Sequence, residues 1–470
     1  MPANSTSAPS HLHVTADDDR RLTWTARCIS FTTLALMAVT WRLWFDRGDF
    51  PQVPLVGDLR DTPTWLENGA AALSMLIFAA QACGPNWLTR HRALWAVHLV
   101  TLSLLFATNQ HRLQPWAYHA WLTAVVLALA AACRQLNWLR ALLISVYIYA
   151  ALGKLDATFL QGLGHQLMTA AAESFGLDPA GWSPAISLGL TILLPLGELL
   201  VGLLLIWRRS RPWGVVAGVI LHGILVGLLG PWKLNHQPPV LLWNVGFAAQ
   251  LIALFGRWPF RSPADQGSSA SAGNTDLLTN RNPAVAEPIS PLDSDIGRPS
   301  WQRWFGQASD VAASALVIAA LVLPLGENWQ LWDHWLSWGL YAPRASRTEL
   351  WILADDVDRL PESARRWAEA TGDDEASWRR VRLDRWSLEV LHVPVYPQAR
   401  FQLGVAAAVA ERTGLDGPEL QATLWTMADR RTGRRQQERL VGRQQLWQAT
   451  RRFWWGARPA GEWPGSDGRP

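Results

Sequence analysis

Apolar stretches of about 17–25 residues recur through the first 256 residues, separated by short polar breaks, which is the pattern of helices that cross a bilayer. They fall at 28–45, 68–84, 92–108, 116–134, 138–154, 184–207, 213–230 and 239–256. Residues 257–307 turn to Ser, Ala, Asp, Pro and Asn without periodicity, the composition of a flexible linker. A ninth apolar run, 309–326, predicts a further spanning helix over 308–328; read as a buried core helix instead, it would leave the C-terminal residues on the linker's side of the membrane. Residues 329–470 alternate strand-like segments (TELWIL, RRVRLDRWSLEVLHV) with helical ones (ESARRWAEA, ARFQLGVAAAVAER). The expected fold is an all-α polytopic membrane helix bundle of eight or nine transmembrane helices, followed by a small α+β soluble domain. The bundle occupies 28–256, and residues 1–27 form a polar tail with Asp17, Asp18 and Asp19, which is no signal peptide.

Composition sharpens this picture. The mean hydropathy of +0.04 averages two unlike halves. A purely cytoplasmic enzyme, a disulfide scaffold and a disordered protein are excluded. Basic residues beside the spans set orientation. With the N-terminus inside, the inner segments hold Arg20, Arg21, Arg27, Arg90, Arg92, Arg134, Arg140, Arg208, Arg209, Arg211, Arg257 and Arg261. The outer loops hold Arg47, Arg60, Arg112, Lys154 and Lys233. This asymmetry predicts a multi-pass protein of the cell (inner) membrane, with a cytoplasmic N-terminus and an exoplasmic C-terminal domain. Cys28, Cys83 and Cys133 then lie on the reducing side, where structural disulfides do not form.

The candidate chemistry gathers at the outer ends of the spans. One loop holds His111, Arg112 and Gln114; the fifth span ends in Lys154, Asp156 and His165; the loop after the seventh holds Lys233 and His236, with Asn244 just inside the eighth. Interfacial anchoring is the alternative for the cations, since Lys, Arg and Trp collect at membrane boundaries. Lys154 differs. The chain has two lysines and forty arginines, and arginine cannot realistically lose its proton, whereas a lysine can serve as a base. Asp156, two residues on, is the expected orienting group. Deeper in the bundle, Glu198 and His222 lie equally far from the ends of a predicted hairpin, at depths that would let them pair. No metal-ligand spacing, phosphate-cradling loop or nucleophile elbow occurs. Nine arginines in 430–458, interleaved with Trp447, Trp454 and Trp455, read as a solvated basic face or a contact for anionic lipid; nucleic acid is not an expected partner outside the membrane.

The segment YIYAALGKLDATFLQG resembles the Lys-Leu-Asp segment of the vitamin K-dependent γ-carboxylases and their bacterial relatives, the horizontally transferred transmembrane (HTTM) family. The run LHGILVGLLGPWKLNHQPPVLLWNVGF looks like that family's later spans, and DoxX- and MauE-type membrane proteins share much of the layout. The resemblance covers roughly 28–256. It implies that Lys154 is the base acting on a quinol-type cofactor at the outer membrane face, with His111, Arg112 and His236 steadying the oxyanion. Gly153 stands where the carboxylases have a second lysine, and the C-terminal domain is far shorter than theirs. Two readings therefore stand: a quinol-dependent membrane enzyme, or a non-catalytic DoxX/MauE-like subunit that docks a membrane or exoplasmic protein partner through its outer domain.

Overall fold

The computed structural model describes residues 15–45, 50–59, 61–256, 300–370 and 377–459. Seven helices are long and apolar enough to cross a membrane: α1 (Ala16–Val39), α3 (Thr64–Cys83), α7 (Ala132–Lys154), α10 (Pro184–Ile206), α11 (Arg211–Leu229), α12 (Pro238–Phe255) and α13 (Ser300–Val322) with the 3-10 turn that continues it. Two shorter apolar helices, α5 (Arg92–Thr108) and α6 (Pro115–Leu129), run between them as an antiparallel pair. Short helices α2 (Trp41–Phe45), α4 (Asn86–Arg90), α8 (Ala157–Gln161) and α9 (Leu163–Ser174) fill the connections. Each of the nine apolar runs in the sequence thus corresponds to one helix.

Helix starts obey local chemistry. Proline occupies the first turn of α6, α10, α11 and α12, where its missing N–H costs nothing. At α1 the reading of 1–27 as a tail is corrected: the helix begins at Ala16, twelve residues earlier than the apolar run. Thr15 caps it by accepting from the Asp18 N–H at 3.1 Å, and Asp17, Asp18 and Asp19 sit in the first turn, where negative charge favours the helix dipole. The linker assigned to 257–307 lies, from 257 to 299, outside the described residues.

The arginines of one end of the bundle do more than mark a boundary. Their guanidinium groups donate to the last carbonyls of neighbouring helices, which have no partners within their own helix. Arg27 reaches Gly84 O after α3 (2.6 Å), Arg92 reaches Ala128 O and Ala130 O after α6 (2.9 and 3.0 Å), and Arg140 reaches Leu254 O in α12 (3.0 Å). Arg21 bonds Gly256 O and Arg211 bonds Leu205 O. Each of these arginines therefore ties its own helix to its antiparallel neighbour's end, with positive charge at the negative pole of the dipole.

The C-terminal region packs against the opposite end. Its antiparallel sheet has the order β2-β3-β1-β4-β5: Ala368–Ala370, Trp378–Val381, Arg347–Leu353, Leu420–Trp425 and Gln437–Val441. Helix Ala399–Thr413 packs on β1 and β4, in agreement with its helical sequence pattern. The segment RRVRLDRWSLEVLHV is a correction: β3 takes its start, and Leu383–Leu391 is a helix whose one apolar face buries Trp386 and Leu391. Alternation over so short a run cannot distinguish the two periods. The lobe and the bundle share a continuous core, with Phe50 between the rings of His111, Trp386 and Phe401.

The bundle is drawn tight where small residues let backbones approach. A Cβ on Gly246 in α12 would lie 2.4 Å from Cγ2 of Thr32 in α1. Gly246→Val is therefore expected to destabilise the protein by roughly 1–3 kcal/mol through overpacking, read as a lowered melting temperature in detergent. An unchanged melting temperature would mean that α1 is not held against α12.

Candidate functional site

Lys154 ends α7 and turns inward. It is 4 % exposed, and its ammonium donates to both oxygens of Glu198 in α10, at 2.8 and 2.6 Å. Pro195, one turn before Glu198, removes a backbone donor from α10 at this level. Two sequence expectations are corrected here. Asp156 does not orient Lys154: it is the N-cap of α8, where one oxygen accepts from the N–H groups of Thr158 and Phe159 (2.8 and 3.1 Å) and from the Thr158 hydroxyl. Glu198 and His222 do not bond each other either. Both line one cavity, but depth counted along the chain says nothing of rotation about each helix axis.

His222 instead links three helices. Asn244 of α12 donates its amide to Val240 O at 2.8 Å, so its carbonyl oxygen faces His222 Nδ1 (2.9 Å) and requires a proton there. His222 Nε2 is then the acceptor for the Tyr147 hydroxyl of α7, 2.6 Å away. Gly202 and Gly218 allow this approach: a Cβ on Gly202 would sit 3.2 Å from Tyr147 Cβ, and one on Gly218 would meet Leu251 at 2.5 Å. Tyr147 was missed in the sequence. Its place, seven residues or two helical turns before Lys154 on the same face, was the available signal.

These groups border a cavity of about 90 Å³ between α7, α10, α11 and α12, closed towards the lobe by Leu340 and Tyr341. Burial and the Glu198 charge push the Tyr341 hydroxyl above its ordinary range. Ile224, half exposed on the outer surface of α11, is also part of the wall. The rest is apolar. The volume is well below the roughly 300 Å³ at which ligand pockets begin and has room for about three waters.

Other expected site residues lie elsewhere. His111 bonds the C-terminal lobe, whereas Arg112 and Gln114 bond groups of the bundle and its loops. His111 Nε2 meets Pro394 O at 3.0 Å, Gln114 donates to His111 O, and Arg112 is buried in an ion pair with Glu67 (2.8 Å) while also bonding Leu43 O. Beside them Arg400 donates to Gln110 Oε1 at 2.9 Å. Lys233 pairs with Glu173 at the surface (2.9 Å), a carboxylate not foreseen from its neighbours in sequence. His236 is half buried, meets Tyr341 edge-on, and is lowered in pKa by burial. His165 is exposed on α9, away from the cavity. Several C-terminal arginines are held by the fold: Arg430 donates to Leu152 O, Arg435 to Ala345 O and Pro343 O, and Arg452 to Glu438. Among the described residues no group of three or more His, Cys, Asp or Glu side chains is placed to hold a metal, and the three cysteines are free.

Residues 133–231 match the family described as methylamine utilisation protein MauE. That span is nearly the whole of α7 through α11 and contains Tyr147, Lys154, Glu198 and His222. No curated protein matches the chain. No solved structure does either. The protein is thus a multi-pass membrane protein with a MauE-like segment, and the likeness to the HTTM carboxylases gains no support.

Removing either partner of the buried Lys154–Glu198 pair leaves an uncompensated charge and should cost about 3–5 kcal/mol. Lys154→Met with Glu198→Leu together should cost much less than the sum of the two. Additive losses in detergent unfolding would mean that the pair is not coupled. His111 offers a pH-dependent test. Burial depresses its pKa to about 4, the Pro394 carbonyl opposes this, and the Arg112 charge adds to it. The unfolded chain takes up the proton near pH 6.5 and the folded one near 4, so this contribution is full above 6.5 and is lost as pH falls towards 4. It amounts to about 3 kcal/mol. His111→Gln should flatten the pH dependence of the melting temperature across that window; an unaltered slope would assign it to other groups.

Proposed function

We propose that this protein is a MauE-like subunit of the cell (inner) membrane that works without catalysing a reaction, by engaging a membrane or exoplasmic protein partner. The observation that carries the reading is the MauE match over 133–231, which falls on the helices that build the Lys154 cavity. Two further features support it. Both carboxylate oxygens of Glu198 are bonded to Lys154, while Asp156 caps α8 through one oxygen and makes no bond to the lysine, so Glu198 is the group that orients Lys154. The cavity is also small for a substrate. In this reading the ion pair and the Tyr147–His222–Asn244 chain tie α7, α10, α11 and α12 into a rigid unit that holds the outer face in shape.

A second reading has its own support. Lys154, Glu198, Tyr147 and His222 converge on one cavity, and intramembrane ionisable groups commonly belong to functional sites. In that case Lys154 would act as base on a quinol-like hydroxyl, as in the HTTM enzymes.

Complementation of a gene deletion separates the two. The subunit reading expects Lys154→Arg and the Lys154→Met/Glu198→Leu pair to restore the phenotype, because charge or shape is kept. Loss of complementation in both, with expression and melting temperature intact, would overturn it in favour of the enzyme, as would stoichiometric quinone extracted from the mildly purified protein.

The orientation belongs to the same proposal: arginine-rich end in the cytoplasm, C-terminal lobe outside. Alkaline phosphatase fused after residue 470 should be active, and fused within 262–300 it should be silent. The reverse pattern would invert the protein.

A further inference from the structure

The C-terminal lobe and the end of α13 enclose a second cavity, of about 380 Å³. Unlike the one at Lys154, it lies within the volume range of small-molecule sites, roughly 300–1,000 Å³. Its floor is polar and buried. Arg400 donates to Asp333 through both terminal nitrogens, one at 2.6 Å, and the Tyr396 hydroxyl donates to the same carboxylate at 2.6 Å. At the other side Glu327 is held by Arg344 (2.6 Å) and His334 (3.0 Å). Uncharged groups, Gln330, Ser346 and Gln398, complete the polar part.

The walls are aromatic: Trp332, Phe453, Trp454 and Trp455. Trp454 is 94 % exposed although it borders a cavity, and Leu331 beside it is 75 % exposed. The indole N–H of Trp332 is buried without a hydrogen-bond partner among the described residues.

The charge arrangement selects the ligand class. Each buried carboxylate already has its cation, so a charged ligand would have to break an ion pair whose separation is costly. A neutral molecule needs no such exchange: it can bond the remaining carboxylate lone pairs and the amides of Gln330 and Gln398. Flat aromatic walls around paired polar groups fit a ring that is apolar on its faces and hydroxylated around its rim. We infer that this cavity binds a neutral polyhydroxylated ring, a sugar or cyclitol unit, stacked on Trp454 and hydrogen-bonded around Asp333 and Gln398. The unit has two possible sources, a free saccharide or the headgroup of a glycolipid. The cavity adjoins the end of the apolar helix that carries α13, where Leu325 and Trp329 are exposed, so a lipid headgroup could reach it.

The test uses the full chain in phosphatidylcholine nanodiscs, prepared without glucoside or maltoside detergent. Binding of methyl glucoside, myo-inositol, phosphate and choline is measured by titration calorimetry and saturation-transfer NMR. A parallel set of nanodiscs contains monoglucosyl diacylglycerol. The expected result is saturable binding of at least one neutral ring and none of phosphate or choline. Trp454→Ala should weaken it about tenfold, the loss of one central aromatic contact. Gln398→Ala should weaken it too, and Trp304→Ala, at the far end of α13, should not. Because Trp454 is almost wholly exposed, its removal leaves the fold intact, which the melting temperature checks. Glucolipid nanodiscs that abolish methyl glucoside binding would identify a lipid headgroup; unchanged binding would identify a free saccharide. No binding of any neutral ring, preference for phosphate or choline, or binding indifferent to Trp454→Ala would overturn the proposal.

Discussion

A polar group inside hydrocarbon has no water to turn to, so it must find its partner within the protein. That requirement organises this molecule from end to end. At one boundary, arginines satisfy the orphan carbonyls of neighbouring helices and so staple antiparallel spans together. In the middle, Lys154 and Glu198 neutralise each other, and Tyr147, His222 and Asn244 close a hydrogen-bonded chain across α7, α11 and α12. At the other boundary, buried Arg112 pairs with Glu67 inside the bundle, Arg400 pairs with Asp333 inside the lobe, and Arg400 joins the two through Gln110.

Glycine and polar pairing act together in that middle layer. The small residues Gly202 and Gly218 bring α10 and α11 against Tyr147, and only at that distance does its hydroxyl reach His222. Packing thus sets the geometry and hydrogen bonding makes it specific, which is the usual division of labour where water cannot drive helices together. The same economy explains the small cavity at Lys154. Its polar groups already satisfy one another, and the apolar walls need little more than contact with lipid and with Tyr341.

The C-terminal lobe belongs to the membrane part more closely than a domain joined by a linker would. Its core is continuous with that of the bundle, and the loop 109–114 is buried beneath it. That end of the bundle and the lobe therefore present one surface made of both. Between the lobe and α13 lies the larger cavity, lined by aromatic rings and by ion pairs that are already complete.

The sequence alone located the apolar helices, because runs of about 20 apolar residues mark them, although α1 starts well before its run and two of the helices are shorter than a full span. It also determined which end carries the arginines, and it singled out Lys154 through the scarcity of lysine. Pairing was decided by the tertiary structure. Asp156, a near neighbour in sequence, serves its own helix, whereas Glu198, forty-four residues away, holds Lys154. His222 found Tyr147 and Asn244 instead of Glu198, because depth can be counted along a helix but rotation depends on what packs against it. His111 went to the lobe and Arg112 to α3 for the same reason: their partners, Pro394 and Glu67, are brought to them by folding and lie far off in the chain.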